Sequence, residues 1–359
     1  MDFDGRLQRL QSRLGEHQVD ALLVTNLTNV RYLTGFSGTN AQLLVTPERR
    51  IFLTDPRYEA RAAALVQDAE VVIYPARLTD ALFPMVGQTS PVKMLGVEGK
   101  TITIDERDDL QKRLAGMDLV ATAGLVEEMR RAKEPAEVDL IKEAVALGDR
   151  AFQQLLERLV PGVTEREVAL EIEMTMRGWG AEEVSFPPIV GSGPLSAHIH
   201  HTAGDRELQK GDLVLLDFGC RWAGYCSDLT RTVVLGPATD EQRDMYDLVL
   251  RAQRAGIDGV RAGAHGQAVD AQARGVVEDA GSGALFAHGL GHGVGLEVHE
   301  APRLSKISED TLRAGDVVTV EPGVYVQGAG GIRIEDCVHV TPDGPEVLGT
   351  APKDELIEL

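Results

Sequence analysis

Asp217, Asp228, His292, Glu321 and Glu335 are the residues whose types and placement promise chemistry. Asp217 ends the apolar run Leu213-Val214-Leu215-Leu216, and Asp228 follows Tyr225-Cys226-Ser227. Glu321 ends Val317-Val318-Thr319-Val320, and Glu335 closes Ile332-Arg333-Ile334. His292 lies in the glycine-studded run from His288 to Gly295. A charge at the end of a buried strand needs a partner, because an unpaired buried ion is too costly. If the five converge, the four carboxylates cannot all stay ionised without positive charge among them. Two divalent cations would balance them. One imidazole among carboxylate oxygens suits manganese first, with cobalt or zinc as alternatives, rather than a thiolate-seeking metal.

Strand geometry supports inward-facing acids. Side chains two apart share a face, so Asp217 lies with Leu213 and Leu215, and Glu335 with Arg333 and Cys337. An arginine beside a ligating carboxylate orients it and balances its charge. A surface ion pair is the competing reading of Arg333, and its apolar flanks argue for burial. The alternating glycines Gly289, Gly291, Gly293 and Gly295 rule out a stable helix. His288 and His292 are therefore not a helical zinc motif. In an extended segment they share a face, and the glycines leave room for substrate near the backbone. A lone histidine is most often structural, but His288, His292 and His299 crowd one short glycine-lined stretch. His198, His200 and His201 form a second cluster. Adjacent His200 and His201 cannot both point inward if extended, so at most one is catalytic.

These residues need a scaffold. A chain of 359 residues is long enough for two domains, each with its own core. Its net charge of −20 argues against nucleic acid or an anionic membrane as main partner. No apolar run approaches the roughly 20 residues that span a bilayer. Met1-Asp2-Phe3-Asp4 has neither a basic start nor an apolar signal core. Cys220, Cys226 and Cys337 lack metal-ligand spacing and suggest a reducing compartment, the cytoplasm.

In the first third, runs at 21–25, 42–45, 51–54 and 71–74 read as strands, 4–15 and 57–66 as helices, and 26–29 and 35–40 as loops. A long amphipathic helix follows Pro135 and stops at Pro161-Gly162. Thr164 with Glu167, and Thr239 with Gln242, form capping boxes for further helices. Another helix spans roughly 266–280. The division is an α/β domain over 1–125, a linker over 126–135 and a larger domain over 136–359. Within the latter, Asp217 and Asp228 flank one glycine-turned hairpin, and Glu321 and Glu335 flank another. Two such halves facing across a pseudo-twofold would bring four acids into one cleft.

At these residues the chain resembles the Xaa-Pro peptidases of the pita-bread metallopeptidases, which include aminopeptidase P and prolidase, with methionine aminopeptidase a relative. The matching stretches are Leu216–Gly219, Tyr225–Thr232, Gly291–Glu300, Glu321-Pro322-Gly323 and Gly331–Asp336. Asn29–Phe36 and Thr54–Tyr58 resemble the family's creatinase-type N-terminal domain. The implied fold is α+β, a pita-bread domain preceded by a smaller α/β domain. The resemblance implies Asp217, Asp228, His292, Glu321 and Glu335 as ligands of two metals, with Glu321 also shuttling a proton. It implies His200, His288 and His299 at the substrate and Arg333 in support. His198-Ile199-His200-His201 departs from the pattern, where many relatives have a proline before the histidine and a small residue after it.

The implied reaction is hydrolysis of the bond between an N-terminal residue and a following proline, with Phe186, Pro187 and His200 as walls for the pyrrolidine ring. Aminopeptidase P is placed first because of the compact N-terminal domain and its Gly35–Gly38 loop. Prolidase is the alternative, and Arg303 is the candidate cation for a free proline carboxylate. The resemblance also implies a homo-oligomer, most simply a dimer, with one subunit's small domain near the other's cleft. A non-catalytic binding module and a metal-free creatinase-like hydrolase are disfavoured by the complete ligand set. Methionine aminopeptidase is disfavoured by the N-terminal domain.

Overall fold

The computed structural model describes residues 1–88, 92–114 and 116–359. The chain divides into two compact units, Met1–Arg130 and Arg131–Leu359. The first alternates helices and strands: α1 (Phe3–Arg13), β1 (Ala21–Val24), α2 (Leu27–Thr34), β2 (Gln42–Val45), β3 (Arg50–Thr54) and α3 (Glu59–Leu65). It continues through β4 (Glu70–Ile73), α4 (Leu78–Gln88), β5 (Met94–Glu98), α5 (Ile104–Arg113), β6 (Asp118–Thr122) and α6 (Leu125–Arg131). Its strands form one mixed sheet in the order β4-β3-β2-β1-β5-β6.

Two expectations change here. Asn26–Asn29, read as a loop, instead opens α2. Asn26 caps the helix by accepting the Thr28 N–H at 2.9 Å. The buried Glu98 carboxylate accepts the N–H groups of Thr25 and Asn26, each at 2.6 Å, and the Asn29 side-chain amide at 2.6 Å. A partner so distant in sequence is invisible to a local reading. Residues 126–135, read as a linker, carry most of α6, and the next helix begins at Pro135.

The second unit opens with α7 (Pro135–Leu155) and α8 (Glu165–Gly178), followed by β7 (Glu183–Val184), β8 (Ile189–Ser192), β9 (Leu213–Phe218), β10 (Cys220–Trp222), β11 (Tyr225–Cys226) and β12 (Leu229–Val234). Then come α9 (Asp240–Gly259), α10 (Gly266–Asp279), β13 (Gly291–Gly293), β14 (Glu300–Leu304), β15 (Val317–Val320) and β16 (Gly323–Val326). β17 (Gly330–Arg333), β18 (Asp336–Thr341), β19 (Gly344–Val347) and β20 (Ile357–Glu358) complete it. Both capping boxes form as read, at Thr164/Glu167 and Thr239/Gln242. Each satisfies two backbone donors at a helix start.

The order of two helices, three strands, a hairpin and a further strand occurs twice. In the first half β9 pairs antiparallel with β8 and with β12, and β10–β11 is the inserted hairpin. In the second, β15 pairs antiparallel with β13 and with β18, and β16–β17 is the insertion. The expected simple hairpins are thus two-tiered. The acids sit where the main ladder ends and the inserted tier begins. Each half has its own core: Phe152, Ile172 and Leu216 lie in one, and Val249, Val269, Val318 and Ile332 in the other.

Phe152 is fully buried on α7. Phe152→Ala should lower the unfolding free energy by roughly 3–5 kcal/mol, while Ile104→Ala at an exposed site should change it by less than about 0.5 kcal/mol. Urea denaturation of both variants checks this contrast.

Candidate active site

The two-tiered hairpins bring the acids together. Asp217 lies on β9 opposite Thr230 of β12. Asp228 precedes β12, Glu321 follows β15, and Glu335 sits between β17 and β18. His292 is the central residue of β13. The Glu335 amide donates to the Thr230 carbonyl at 3.1 Å, which ties the second half to the first. One ligand atom each from Asp228, His292 and Glu335 lies within 4.8 Å of the others. His292 Nε2 is 3.7 Å from Asp228 Oδ2 and 3.4 Å from Glu321 Oε1. Asp217 joins through Arg333, whose guanidinium donates to Asp217 Oδ2.

The surrounding hydrogen bonds orient each group. Thr230 Oγ1 donates to Glu335 Oε2 at 2.6 Å, and Thr319 Oγ1 donates to Glu321 Oε1 at 3.2 Å. His292 Nδ1 faces the Gly293 carbonyl at 3.1 Å, so the proton belongs on Nδ1 and Nε2 is turned toward the acids. Arg333 is buried and also donates to the Tyr325 hydroxyl at 2.8 Å and to Thr230 Oγ1 at 3.2 Å. The reading of Arg333 as a surface ion pair is excluded.

Electrostatics separates the carboxylates. Burial, then the negative charges of Glu335, Asp217 and Glu321, pushes Asp228 well above the usual carboxylate range. Burial, then Glu321 and Asp217, does the same to Glu335. Asp217 is raised by burial, with Arg333 opposing. Burial also acts against ionised Glu321, but the His292 imidazole outweighs it and holds that carboxyl at about 2. His292 is raised in turn, its contact with Glu321 overcoming burial.

The donor set fits cations. Asp217 Oδ1 and Asp228 Oδ1 are buried and have no hydrogen-bond partner. Oxygens left this way inside a protein lose their hydration without compensation. Oxygens from four carboxylates and one imidazole nitrogen form a hard, oxygen-rich set.

All the remaining candidates border one cleft of about 1210 Å³, with the acids and His292 in its wall. Phe186, Pro187, His200, His288, His299 and Arg303 line it. Arg303 of β14 lies directly opposite His292 in the β13–β14 pairing. His299 stacks edge-on against His292 with ring centroids 4.3 Å apart. Burial, then the neighbouring His292, lowers the His299 pKa, which keeps it neutral.

The histidines differ from expectation in two respects. His200 and His201 both border the cleft, because this segment turns instead of running extended. His201 Nε2 is engaged at 2.7 Å by the buried carboxylate of Glu165, whereas His200 is exposed. The glycines around His292 make room for protein rather than for substrate. A Cβ at Gly291 would stand 2.0 Å from the Thr319 carbonyl oxygen, and one at Gly293 would stand 2.3 Å from that of Ala301. They let β13 press between its neighbours. Tyr325 and Thr230 were not singled out from sequence. Tyr325 stands in a plain alternating strand, and its two polar partners come from other strands and loops.

The model of metallopeptidase family M24 matches residues 139–342, and that of the creatinase/prolidase N-terminal domain matches residues 6–132. The chain belongs to metallopeptidase family M24. It is 32% identical over 352 residues to the Xaa-Pro dipeptidase of Pyrococcus furiosus, covering 98% of this chain and 99% of that one. Among solved structures, the Xaa-Pro dipeptidase from Bacillus anthracis aligns with a TM-score of 0.96 at 39% identity over 99% of both chains. The X-Pro aminopeptidase from Thermotoga maritima aligns at 0.91 with 34% identity, over 98% of this chain and 100% of that one. The fold is the expected one, a creatinase-type domain followed along the chain by a pita-bread domain. Among the described residues no helix is long and apolar enough to cross a membrane.

The raised carboxylates make cation binding pH-dependent. Between about pH 4, where such groups titrate in an unfolded chain, and their raised folded values, the folded metal-free protein holds more protons. Its stability therefore falls as pH rises through that window. Cations displace those protons, so affinity should rise with pH. The gain in Tm on adding manganese should be larger at about pH 8 than at about pH 6. Melting curves at both values, with calorimetry in two buffers of different ionisation enthalpy, check this. Proton uptake on binding would contradict it.

Proposed function

We propose that this protein is a dinuclear Xaa-Pro dipeptidase that hydrolyses the bond between an N-terminal residue and a following proline. The observation that carries the dipeptidase reading is Arg303. Residues directly opposite in an antiparallel pair share a face of the sheet, so Arg303 accompanies His292 toward the cleft. A guanidinium there suits the free carboxylate of a C-terminal proline. Relatives named Xaa-Pro dipeptidase support the same substrate length. The order of preference drawn from sequence, aminopeptidase P ahead of prolidase, is therefore reversed. The aminopeptidase remains the second reading. The cleft exceeds the ~300–1,000 Å³ usual for small-ligand pockets, and the Thermotoga maritima X-Pro aminopeptidase is also similar.

Asp217, Asp228, His292, Glu321 and Glu335 would hold two divalent cations, manganese first. Such cations supply Lewis acidity, polarising the scissile carbonyl and lowering the pKa of the attacking water. Glu321 would take the proton of that water and return it to the departing proline nitrogen. The neutral His299 donates an N–H toward the carbonyl oxygen as charge develops there. Arg333 holds Asp217 in place, and Phe186, Pro187 and His200 flank the pyrrolidine ring. His288 lines the wall with both ring nitrogens already engaged. The assembly we propose is a homo-oligomer, to be checked by light scattering. The three buried, unpaired cysteines fit a reducing compartment, the cytoplasm.

Glu321→Gln should cut kcat by roughly 10²-fold or more with the fold unchanged by circular dichroism. Near-full activity would place the proton path elsewhere. Arg303→Ala should raise KM for Ala-Pro roughly ten- to a hundredfold, the scale of a lost charged hydrogen bond, and leave Ala-Pro-Ala unaffected. Equal effects on both peptides would remove Arg303 as the carboxylate reader. Preferential turnover of Ala-Pro-Ala by the unmodified protein would favour the aminopeptidase. Comparable rates on Ala-Pro and Ala-Ala would defeat proline specificity.

A further inference from the structure

Asp270 and Arg274 stand one turn apart on α10 and are both buried. They form a two-point ion pair, Arg274 Nε to Asp270 Oδ2 at 2.7 Å and an Arg274 terminal nitrogen to Asp270 Oδ1 at 2.8 Å. A helical pair at this spacing on a surface adds little stability, and burying the ions adds a desolvation cost. Helix stability alone does not explain their burial.

Their remaining hydrogen bonds go to one segment. Arg274 donates to the carbonyls of Phe286 at 2.8 Å and His288 at 2.7 Å. Asp270 Oδ1 accepts the N–H of Leu290 at 3.0 Å. Residues 286–290 lie in neither helix nor strand, so their backbone groups have no ladder to satisfy them. The pair supplies two donors and one acceptor in place of a strand. The Arg274 guanidinium also lies 3.9 Å from the centre of the Phe286 ring.

The segment so held leads to two groups of the site. The Leu290 carbonyl accepts the Glu321 amide at 2.9 Å. His288 Nδ1 faces the Gly289 carbonyl at 2.8 Å, and its Nε2 faces the Tyr325 hydroxyl at 2.9 Å. That hydroxyl accepts from Arg333, which in turn holds Asp217. We propose that the Asp270–Arg274 pair is a positioning element of the active site. It fixes residues 286–290 so that Glu321, and Asp217 through His288, Tyr325 and Arg333, keep their places. The kinetic side of the proposal rests on the peptidase reading.

Arg274→Lys keeps the charge and loses the fork, and Asp270→Asn keeps the shape and loses the charge. Arg254→Lys, at an exposed pair with Asp354, is the control. Each manganese-loaded protein is assayed for metal content, Tm, kcat and KM on Ala-Pro. In the zinc-loaded form of each protein, labelled histidine imidazoles are followed by nitrogen NMR, since paramagnetic manganese would broaden resonances this close to the site. In both α10 variants the His288 signals should shift or broaden and kcat should fall roughly ten- to a hundredfold. KM should change less, with full metal content and a retained melting transition, and the control should match the unmodified protein. Unmoved His288 signals with unchanged kcat would overturn the proposal. So would activity that falls only in step with metal content and folded fraction, since the pair would then be a staple of the fold. The His288 signals need no turnover. If the unmodified protein fails to cleave Ala-Pro, the functional reading falls, and the positioning proposal is still decided by NMR.

Discussion

Four carboxylates within reach of one another, three of them buried and Glu321 partly so, are the constraint on which this unit depends. Side by side without compensation they repel, and burial denies them water. Two of the four are driven well above their usual range by burial and by their neighbours. The protein itself supplies one buried guanidinium, from Arg333, and the His292 imidazole. That is too little positive charge for four ionised acids. The two carboxylate oxygens left without partners are where the shortfall becomes visible. A site of this kind is stable in the ionised form only with cations, which is why its chemistry is that of a metallopeptidase family.

The scaffold answers the constraint by duplication. Each half contributes a helix pair, an antiparallel ladder and an inserted hairpin, and each places its two acids at the junction of ladder and insertion. Strand ends are suitable positions. The ladder fixes the backbone, while the side chain leaves the core at the point where the chain turns away. The two halves are bound together at the site itself. Thr230 reaches Glu335, and the buried Arg231 of the first half donates to the Glu335 carbonyl at 2.6 Å and to Asp336 at 2.8 Å.

Identical chemistry in the four acids does not give identical roles. Glu321 is set apart by the His292 imidazole, which lowers its pKa where burial and like charges raise those of Asp228 and Glu335. The histidines divide in the same way. His288 and His201 have partners that immobilise them, whereas His299 carries no side-chain hydrogen bond among the described residues. Availability of a free ring nitrogen, rather than residue type, distinguishes a group able to meet substrate from one that shapes the wall.

Much of this was legible from the order of residues. Apolar runs ending in acids implied buried strands with charged tips, and the capping boxes at Thr164 and Thr239 formed as read because a cap is a local hydrogen bond within a few residues. The paired glycine-turned hairpins suggested the two halves. Other features were not legible, because their partners lie far apart in the chain. The helix that Asn26 caps starts where Glu98 holds the backbone, and β5 emerges only beside β1 and β6 only beside β5. The alternating glycines could not disclose that β14 and β15, not a substrate, occupy the space beside them. Sequence determined which residues have metal-binding chemistry and that they stand at strand ends, since residue type and periodicity are local properties. The folded chain decided which His292 neighbour has its pKa lowered, which histidine keeps a free nitrogen and that Arg303 faces the cleft, because those depend on distances and burial between segments that meet only in three dimensions.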